Sequence, residues 1–287
     1  MSNFSGIWIP LVTPFSNDGT VDHAALRRLI ARYADADVAG VVALGTTGEP
    51  SALDAAEQEA VLATTLDAAR GALPVIVGVS GNNARSMRER VLRLNTLPLA
   101  GLLISAPYYV RPSQAGIAHH FTMLADASEQ PVVLYDIPAR TGVRIELDTL
   151  LSLAAHPRIQ AIKDCAGSLD ITHALILDGR LQVLAGDDAR IFDTLCMGGS
   201  GAIAASAHIW PERFVALDRE LKAGNLAEGR ALFHALLPLI RALTSESNPS
   251  PVKAALAAQG MLAGVLRAPM TQASETLQAR LQHMLLM

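Results

Sequence analysis

The sequence has few cysteines and few aromatic residues, and each shortage excludes a class of protein. Its two cysteines, Cys165 and Cys196, form no CxxC pair and are too few for a disulfide framework. Both lie in apolar segments, so we interpret them as small core residues. Aromatic residues make up 4% of a chain that is 51% hydrophobic, which predicts a core of Ala, Val, Leu and Ile.

The chain also lacks a large excess of positive or negative charge. The formal net charge of −4 provides no basic field for nucleic acid. The densest basic stretch, 85–93, has helical spacing, so we favour a solvated helix face over a phosphate-binding patch. No apolar run approaches the ~18 residues of a membrane span, and the N-terminus lacks the charged and apolar regions of a signal peptide. These absences predict a cytoplasmic protein with no membrane and no nucleic-acid partner.

Several motifs that carry chemistry are missing as well. Neither HxxxH nor HExxH occurs, and the histidines are scattered, so no metal site is expected. His208 follows the last apolar run, but we favour a structural role for it. The GxSxG and P-loop signatures are also absent, which argues against a serine-hydrolase or P-loop enzyme.

What is present is an alternation of short apolar runs with segments of helical periodicity. Such nearly continuous apolar runs are typical of parallel strands buried on both faces. The eight runs are Ile7–Val12, Gly40–Leu44, Pro74–Val79, Gly101–Ser105, Pro131–Tyr135, Ile159–Lys163, Leu181–Ala185 and Gly201–Ala205. Eight strand–helix units favour a barrel, with an open doubly wound sheet as the alternative.

The first run supports the barrel, because it leads into Val12-Thr13-Pro14-Phe15 and not into the GxGxxG loop of an open sheet. We therefore predict an α/β fold, a (β/α)8 TIM barrel with a C-terminal helical appendage. The barrel with the active site is expected at 1–224. A three-helix extension is expected at 225–287.

Polar residues collect where the apolar runs end, and Lys163 is the most informative of them. It closes the sixth run, so its amine is expected at the mouth of the barrel, where such enzymes carry their chemistry. Burial lowers a lysine pKa from about 10.4, and a neutral amine is a Schiff-base nucleophile. The alternative is a structural lysine that extends into solvent or pairs with Asp164 or Asp187.

Tyr135 ends the preceding run, and neighbouring strands lie about 4.8 Å apart. Its hydroxyl is therefore expected near Lys163, where a phenol can relay protons. Thr46 and Tyr109 also follow apolar runs and are candidates for the same relay. The alternative for each tyrosine is simple packing at a strand end.

Two further groups suit anionic substrates. The turn 45–48, with Thr46 and Thr47, offers backbone N–H groups and hydroxyls to a carboxylate. Arg140 follows the fifth run and offers a planar fork to a second carboxylate. An ordinary turn and a surface salt bridge are the respective alternatives.

Taken together, these segments resemble the dihydrodipicolinate synthase/N-acetylneuraminate lyase family. The resemblance runs from Gly6 to about Met270. Its motifs are Gly45–Glu49, Ala106–Tyr109, Tyr135–Gly142, Ile162–Asp164, Gly186–Asp188 and Asn248–Lys253. Within the family, the Thr46-Thr47 pair and Arg140-Thr141-Gly142 are similar to the synthases, whereas the lyases usually carry Ser-Thr.

The resemblance implies a Schiff-base condensation of pyruvate with aspartate semialdehyde to give 4-hydroxy-tetrahydrodipicolinate for lysine biosynthesis. It implies no cofactor and a homotetramer built from tight dimers. Lys163 would bond C2 of pyruvate. The other implied roles are proton relay by Tyr135, Thr46 and the Tyr109 of a neighbouring subunit, pyruvate binding by Thr47, Gly186 and the carbonyl of Ile203, and aldehyde-carboxylate binding by Arg140.

The sequence departs from the family pattern at some positions. Asp136 stands where Asn is common. Most polar partners of the inhibitor lysine in lysine-inhibited synthases are missing, since the corresponding positions hold Pro50, Ser51, Ala55, Gln58 and Ser86, although Asn82 and Tyr108 match. We therefore expect weak or absent inhibition by lysine.

Two alternatives to the synthase remain open. A pyruvate-dependent aldolase, lyase or dehydratase acting on a 2-oxo sugar acid would keep the same lysine and tyrosine. A non-enzymatic 2-oxo-acid-binding protein is the third reading, and it predicts loss of Lys163 or Tyr135, neither of which is lost.

Overall fold

A computed structural model describes residues 4–286 of the chain. Within this range eight strands follow one another in chain order around a closed barrel. Each overlaps one of the eight predicted runs: β1 (Gly6–Pro10), β2 (Gly40–Ala43), β3 (Val75–Val79), β4 (Gly101–Ser105), β5 (Val132–Asp136), β6 (Ile159–Asp164), β7 (Gln182–Ala185) and β8 (Gly201–Ile203). The predicted TIM barrel is confirmed, and the open sheet is excluded.

Helices alternate with these strands and continue beyond them. Those between the strands are α1 (His23–Asp35), α2 (Ala55–Ala69), α3 (Ala84–Leu94), α4 (Gln114–Ala127), α5 (Pro138–Thr141), α6 (Leu147–Leu153), α7 (Leu169–Asp178) and α8 (Ile191–Cys196). After β8 come α9 (Pro211–Lys222), α10 (Leu226–Leu243), α11 (Ser250–Ala258) and α12 (Glu275–Leu285). The three helices expected after residue 224 are present, and the domain boundary placed there remains a prediction.

Local sequence explains where the helices begin. Helix α2 begins with a capping box: the Asp54 side chain accepts from the Glu57 N–H at 2.8 Å, and the Glu57 carboxylate accepts from the Asp54 N–H at 3.1 Å. Pro211 occupies the first turn of α9, where its missing N–H costs no helical hydrogen bond. Each of these signals depends on residues that are close together in the sequence, so it can be recognised without the three-dimensional structure.

The contacts divide the chain into two compact units. The first contains Val75–Ile203 together with the N-terminal segment up to Gly6. Its strands β3, β4 and β5 are buried at every residue, as expected for parallel strands covered on both faces. Cys165 is half buried, but Cys196 at the end of α8 is exposed, so its assignment to the core is wrong.

The second unit contains Ile7–Pro74 and Ala204–Met287. Its core includes the fully buried rings of Trp8, Phe15, Tyr33 and Phe214. Helix α10 packs on α9, and α11 packs on α12. None of the helices within residues 4–286 has the length and apolar character needed to cross a bilayer.

His208, in the second unit, is structural in the way expected. Its Nε2 accepts from the Val12 N–H at 3.2 Å, and its Nδ1 lies 2.8 Å from the Ala205 carbonyl, to which it donates. Burial is the main cause that lowers the pKa of His208 from 6.5 to about 4. Because protonation at Nε2 would also abolish the Val12 hydrogen bond, the folded state strongly favours the neutral ring.

This lowered pKa makes stability depend on pH. Between pH 4 and 6.5, His208 is protonated in the unfolded chain but neutral in the folded protein. The free energy of unfolding therefore falls as the pH falls. Lowering the pH from 7 to 5 should cost about 2 kcal/mol through this group. Urea denaturation of wild type and His208→Gln at both pH values measures it. Between these pH values, the free energy of unfolding of His208→Gln should fall by about 2 kcal/mol less than that of wild type. Equal falls in the two proteins would contradict the assignment.

Candidate active site

Lys163 and Tyr135 lie side by side on neighbouring strands. They are partners in the parallel register of β5 and β6. The amine of Lys163 lies 4.6 Å from the centroid of the Tyr135 ring. Only 7% of Lys163 and 6% of Tyr135 is exposed, so a lysine that extends into solvent is excluded.

The charges around Lys163 correct the expected pKa. Burial is the largest single influence and lowers the pKa of the amine, but Tyr135, Cys165 and Asp188 together raise it above its ordinary value of 10.5. The prediction of a lowered pKa is therefore wrong, because it counted burial and omitted the neighbours. A lysine held as ammonium must pass its proton on before it can attack a carbonyl. Tyr135, its partner in the strand register, can take this proton if it passes its own phenol proton to a further acceptor.

The strand ends beside Lys163 leave little space. A Cβ at Gly186 would lie 2.4 Å from the sulfur of Cys165 and 2.8 Å from Cγ of Lys163, so only glycine fits there without displacement of the lysine. Burial raises the pKa of the Cys165 thiol to about 12, while the neighbouring Lys163 amine opposes the rise. Ile203 ends β8, which pairs with β7 through Ala185 and Ala202. Gly186, directly after β7, and Ile203, the last residue of β8, therefore lie at the ends of neighbouring strands.

The next pair along β5 and β6 consists of two carboxyl groups, Asp136 and Asp164. Asp164 accepts from the Thr172 hydroxyl at 2.6 Å and from the Ala166 N–H at 2.9 Å. It is therefore engaged away from Lys163. Burial raises the pKa of Asp136 to about 7, and the charge of Asp164 adds to the rise. Asp136 therefore takes up a proton much closer to neutral pH than an ordinary carboxyl does.

Arg140 and Tyr109 lie on exposed segments of the first unit. Arg140 is exposed on the short helix α5, which directly follows β5. The Tyr109 side chain is 89% exposed and its backbone has a φ of 69°. The Tyr109 N–H donates to the Thr141 carbonyl at 3.2 Å, which fixes this loop against α5. In a single chain, Tyr109 is therefore presented outward and not packed into the core.

Thr46 and Thr47 form part of a tight turn in the second unit. Residues Thr46–Gly48 make one turn of 3-10 helix directly after β2. The Thr47 side chain is buried, and its Oγ1 accepts from the side-chain amide of Asn248 at 2.9 Å. The Thr13 hydroxyl donates to the Gly48 carbonyl at 2.7 Å. The turn is thus fixed from the β1 side and from the C-terminal extension.

Beneath this turn lies a buried ion pair. Glu49 follows the turn with a φ of 51° and pairs with Lys253 of α11, which is 0% exposed. The Lys253 amine also donates to the Val265 carbonyl at 2.9 Å and lies 4.1 Å from the Phe15 ring centroid. Arg267 packs on the same ring at 4.5 Å. The C-terminal extension therefore anchors the loop that carries Thr46 and Thr47.

Three contributors were not assigned a role from the sequence. Asp188 is the buried carboxyl that acts on Lys163, whereas Asp187, proposed as its partner, is exposed. Asn248 and Lys253 belong to a motif that was recognised but given no function. Asp188 could have been predicted as a site residue because it follows the end of β7. The contacts of Asn248 and Lys253 span about 200 residues, so no local sequence pattern could have predicted them.

Within residues 4–286, no cluster of three or more His, Cys, Asp or Glu side chains is arranged to hold a metal ion. The arrangement that the strand ends do provide is a buried amine in contact with a phenol. Such a pair can form an imine with a 2-oxo acid and move the proton that this step releases.

Comparison with known proteins gives a consistent result. A sequence model of the Dihydrodipicolinate synthetase family matches residues 3–286. The 4-hydroxy-tetrahydrodipicolinate synthase of Haloarcula marismortui is 38% identical over 276 residues, which cover 95% of this chain and 90% of that protein.

Solved structures match over nearly the full length. The chloride-inhibited dihydrodipicolinate synthase from Acinetobacter baumannii, crystallised with pyruvate, superposes with a TM-score of 0.95 at 33% identity and covers 99% of this chain and 98% of that one. A monomeric dihydrodipicolinate synthase variant gives a TM-score of 0.94 at 32% identity, with 98% and 96% covered.

Proposed function

Because the chain belongs to the dihydrodipicolinate synthetase family, we propose that it condenses pyruvate with L-aspartate 4-semialdehyde to give 4-hydroxy-tetrahydrodipicolinate, a step of lysine biosynthesis. One observation carries the proposal: the buried amine of Lys163 lies in register with Tyr135 at the ends of neighbouring strands. The relatives named above as synthases support the choice of product.

In the proposed reaction, the Lys163 amine attacks C2 of pyruvate and water leaves, which gives an imine. Loss of a C3 proton converts the imine to an enamine, whose C3 attacks the aldehyde carbon of the second substrate. The amine of that substrate then displaces Lys163 and closes the ring. Tyr135 moves the protons, with Thr46 and Tyr109 as the proposed further members of the relay.

Residues from several strand ends are proposed to bind the two substrates. Thr47 and the neighbouring backbone N–H groups are proposed to bind the pyruvate carboxylate. Gly186 and the carbonyl of Ile203 are proposed as further pyruvate-binding groups. Arg140 is proposed to bind the carboxylate of the aldehyde, since a guanidinium matches a carboxylate with two parallel hydrogen bonds. Neither role needs a cofactor.

The assembly is part of the proposal. Tyr108, Tyr109 and Val110 expose large side chains in one short segment, at 45%, 89% and 59%, and exposed clusters of this kind are typical of protein contacts. We propose a cytoplasmic homotetramer of tight dimers in which Tyr109 enters the site of a neighbouring subunit. Gln58 supports weak lysine inhibition, because its amide already donates to the Pro50 and Leu53 carbonyls.

The reaction is tested by offering the purified protein pyruvate with aspartate semialdehyde and, separately, 2-oxo sugar acids for cleavage. We expect product only with the semialdehyde. Cleavage of a sugar acid without condensation would instead identify an aldolase or lyase on the same scaffold and overturn the proposal.

Arg140→Ala is expected to raise the KM for aspartate semialdehyde about ten- to a hundredfold, because a charge-assisted contact to a carboxylate is lost. The KM for pyruvate should change less than about threefold. Steady-state kinetics with each substrate varied in turn measures both constants. Arg144→Ala, a neighbouring exposed arginine that donates to the Ala166 carbonyl, is the matched control. Equal rises for both substrates would contradict the assignment.

The raised pKa of Lys163 predicts the pH dependence of the first step. The neutral fraction of an amine rises tenfold per pH unit below its pKa, so imine formation with pyruvate should accelerate about tenfold per unit between pH 7 and 9. Asp188→Asn removes a charge that favours the ammonium and should accelerate the step several-fold at pH 7.5. Rapid mixing with borohydride quenching and intact mass measures the rate. Asp187→Asn is the control, and a rate independent of pH would refute the expectation.

A further inference from the structure

The hydrogen bond between Asn248 and Thr47 has a direction. Nδ2 of Asn248 donates to Oγ1 of Thr47 at 2.9 Å across 201 residues of sequence. A threonine hydroxyl has one hydrogen to donate and lone pairs to accept with. Because Asn248 supplies the hydrogen of this contact, the hydrogen of Thr47 itself remains available to a further acceptor.

That direction matters for an anionic ligand. A carboxylate only accepts hydrogen bonds, so it needs donors around it. If the neighbour of Thr47 were an acceptor, the Thr47 hydroxyl would turn toward it and present a lone pair to the ligand. We infer that Asn248 is a positioning residue that holds the Thr47 hydroxyl as a donor to the carboxylate of a 2-oxo acid. This inference rests on the proposed function and extends it to the C-terminal extension.

The segment that carries Asn248 is held firmly against the same loop. Five residues further along, Lys253 is fully buried and pairs with Glu49. Arg267 binds Glu57 through two contacts of 2.5 and 2.7 Å and donates to the Ala52 carbonyl at 2.8 Å. Ordered side chains of this kind fix a donor better than a mobile loop does. The residues after 224 therefore belong to the substrate-binding apparatus of the second unit.

The test uses three variants of the full chain: Asn248→Asp, Asn248→Ala and the control Ser250→Ala. Ser250 lies in the same segment, but its hydroxyl donates to the Thr271 carbonyl at 2.6 Å. The measurement is the pyruvate concentration that half-saturates imine formation, trapped with borohydride. Asn248→Asp should raise it about ten- to a hundredfold, since the hydroxyl turns toward the new carboxylate and a contact to a charged ligand is lost. The control should stay within about twofold.

A second measurement separates positioning from general loosening of the fold. In a Thr47→Val background the hydroxyl is gone, so Asn248→Ala should raise the half-saturating concentration by no more than about twofold further. Additive effects would show that Asn248 acts independently of Thr47. If wild type traps pyruvate and both Asn248→Asp and Asn248→Ala keep the wild-type half-saturating pyruvate concentration, this inference is overturned. The proposed function would then still stand. A wild type that traps no pyruvate overturns the proposed function and this inference with it.

Discussion

Replacement of Lys163 by alanine is expected to reduce turnover at least about a thousandfold, because a covalent step loses its nucleophile and no neighbour can take its place. Lys163 is one of only three lysines in the chain, with Lys222 and Lys253. Lys253 is committed to Glu49 and the Val265 carbonyl. Lys222 pairs with Asp218 on α9. Neither can substitute for an amine at the end of β6.

The scarcity of lysine makes the chemical test unambiguous. Borohydride reduction in the presence of pyruvate should add one reduced pyruvate to the peptide that contains Lys163 and to no other, and Lys163→Ala should take up none. Lys222→Ala is the matched control and should keep the turnover and the trapped mass of wild type. Modification of another lysine, or turnover that survives in Lys163→Ala, would end the proposed mechanism.

The sequence was sufficient to place Lys163 and Tyr135 together. Each closes a continuous apolar run, and parallel strands in register bring the ends of neighbouring runs to the same edge. The same reasoning located β1 to β8 and the helices between them. These features depend on periodicity and on capping residues, which are properties of short segments.

The electrostatics of the site could not be read in the same way. The pKa of Lys163 depends on Cys165 and Asp188, which belong to different strand ends and act through space. Burial considered alone predicts a lowered pKa for Lys163, which is the opposite direction. Cys196 failed for a related reason, because an apolar segment does not reveal which face of a short helix is covered. Contacts between distant segments, such as Asn248 with Thr47, have no periodic signature at all.

The second large effect concerns one of these distant contacts, the buried pair of Lys253 and Glu49. Lys253→Met is expected to lower the free energy of unfolding by about 3–5 kcal/mol, since removal of one partner leaves the other charge buried and unpaired. Glu49 is 4% exposed, so water cannot replace the lost amine. Burial, the largest influence, lowers the pKa of Lys253, while the charge of Glu49 raises it. Lys253 therefore depends on Glu49 to stay charged in this buried position.

A matched comparison isolates this effect from the loss of any lysine. Lys222→Met breaks the pair with Asp218 on α9, where the lysine is 37% exposed. It should cost less than Lys253→Met, because this pair is open to water on the lysine side and burial raises the pKa of Asp218, which eases its neutralisation by a proton. Adding Glu49→Leu to Lys253→Met removes the stranded charge and should recover part of the stability, since apolar replacement of a complete buried pair is often neutral. Urea denaturation of the three variants measures these differences. If Lys253→Met costs no more than Lys222→Met, the pair does not hold the loop that carries Thr47, and the anchoring of that loop by the C-terminal extension must come from Arg267 and Asn248.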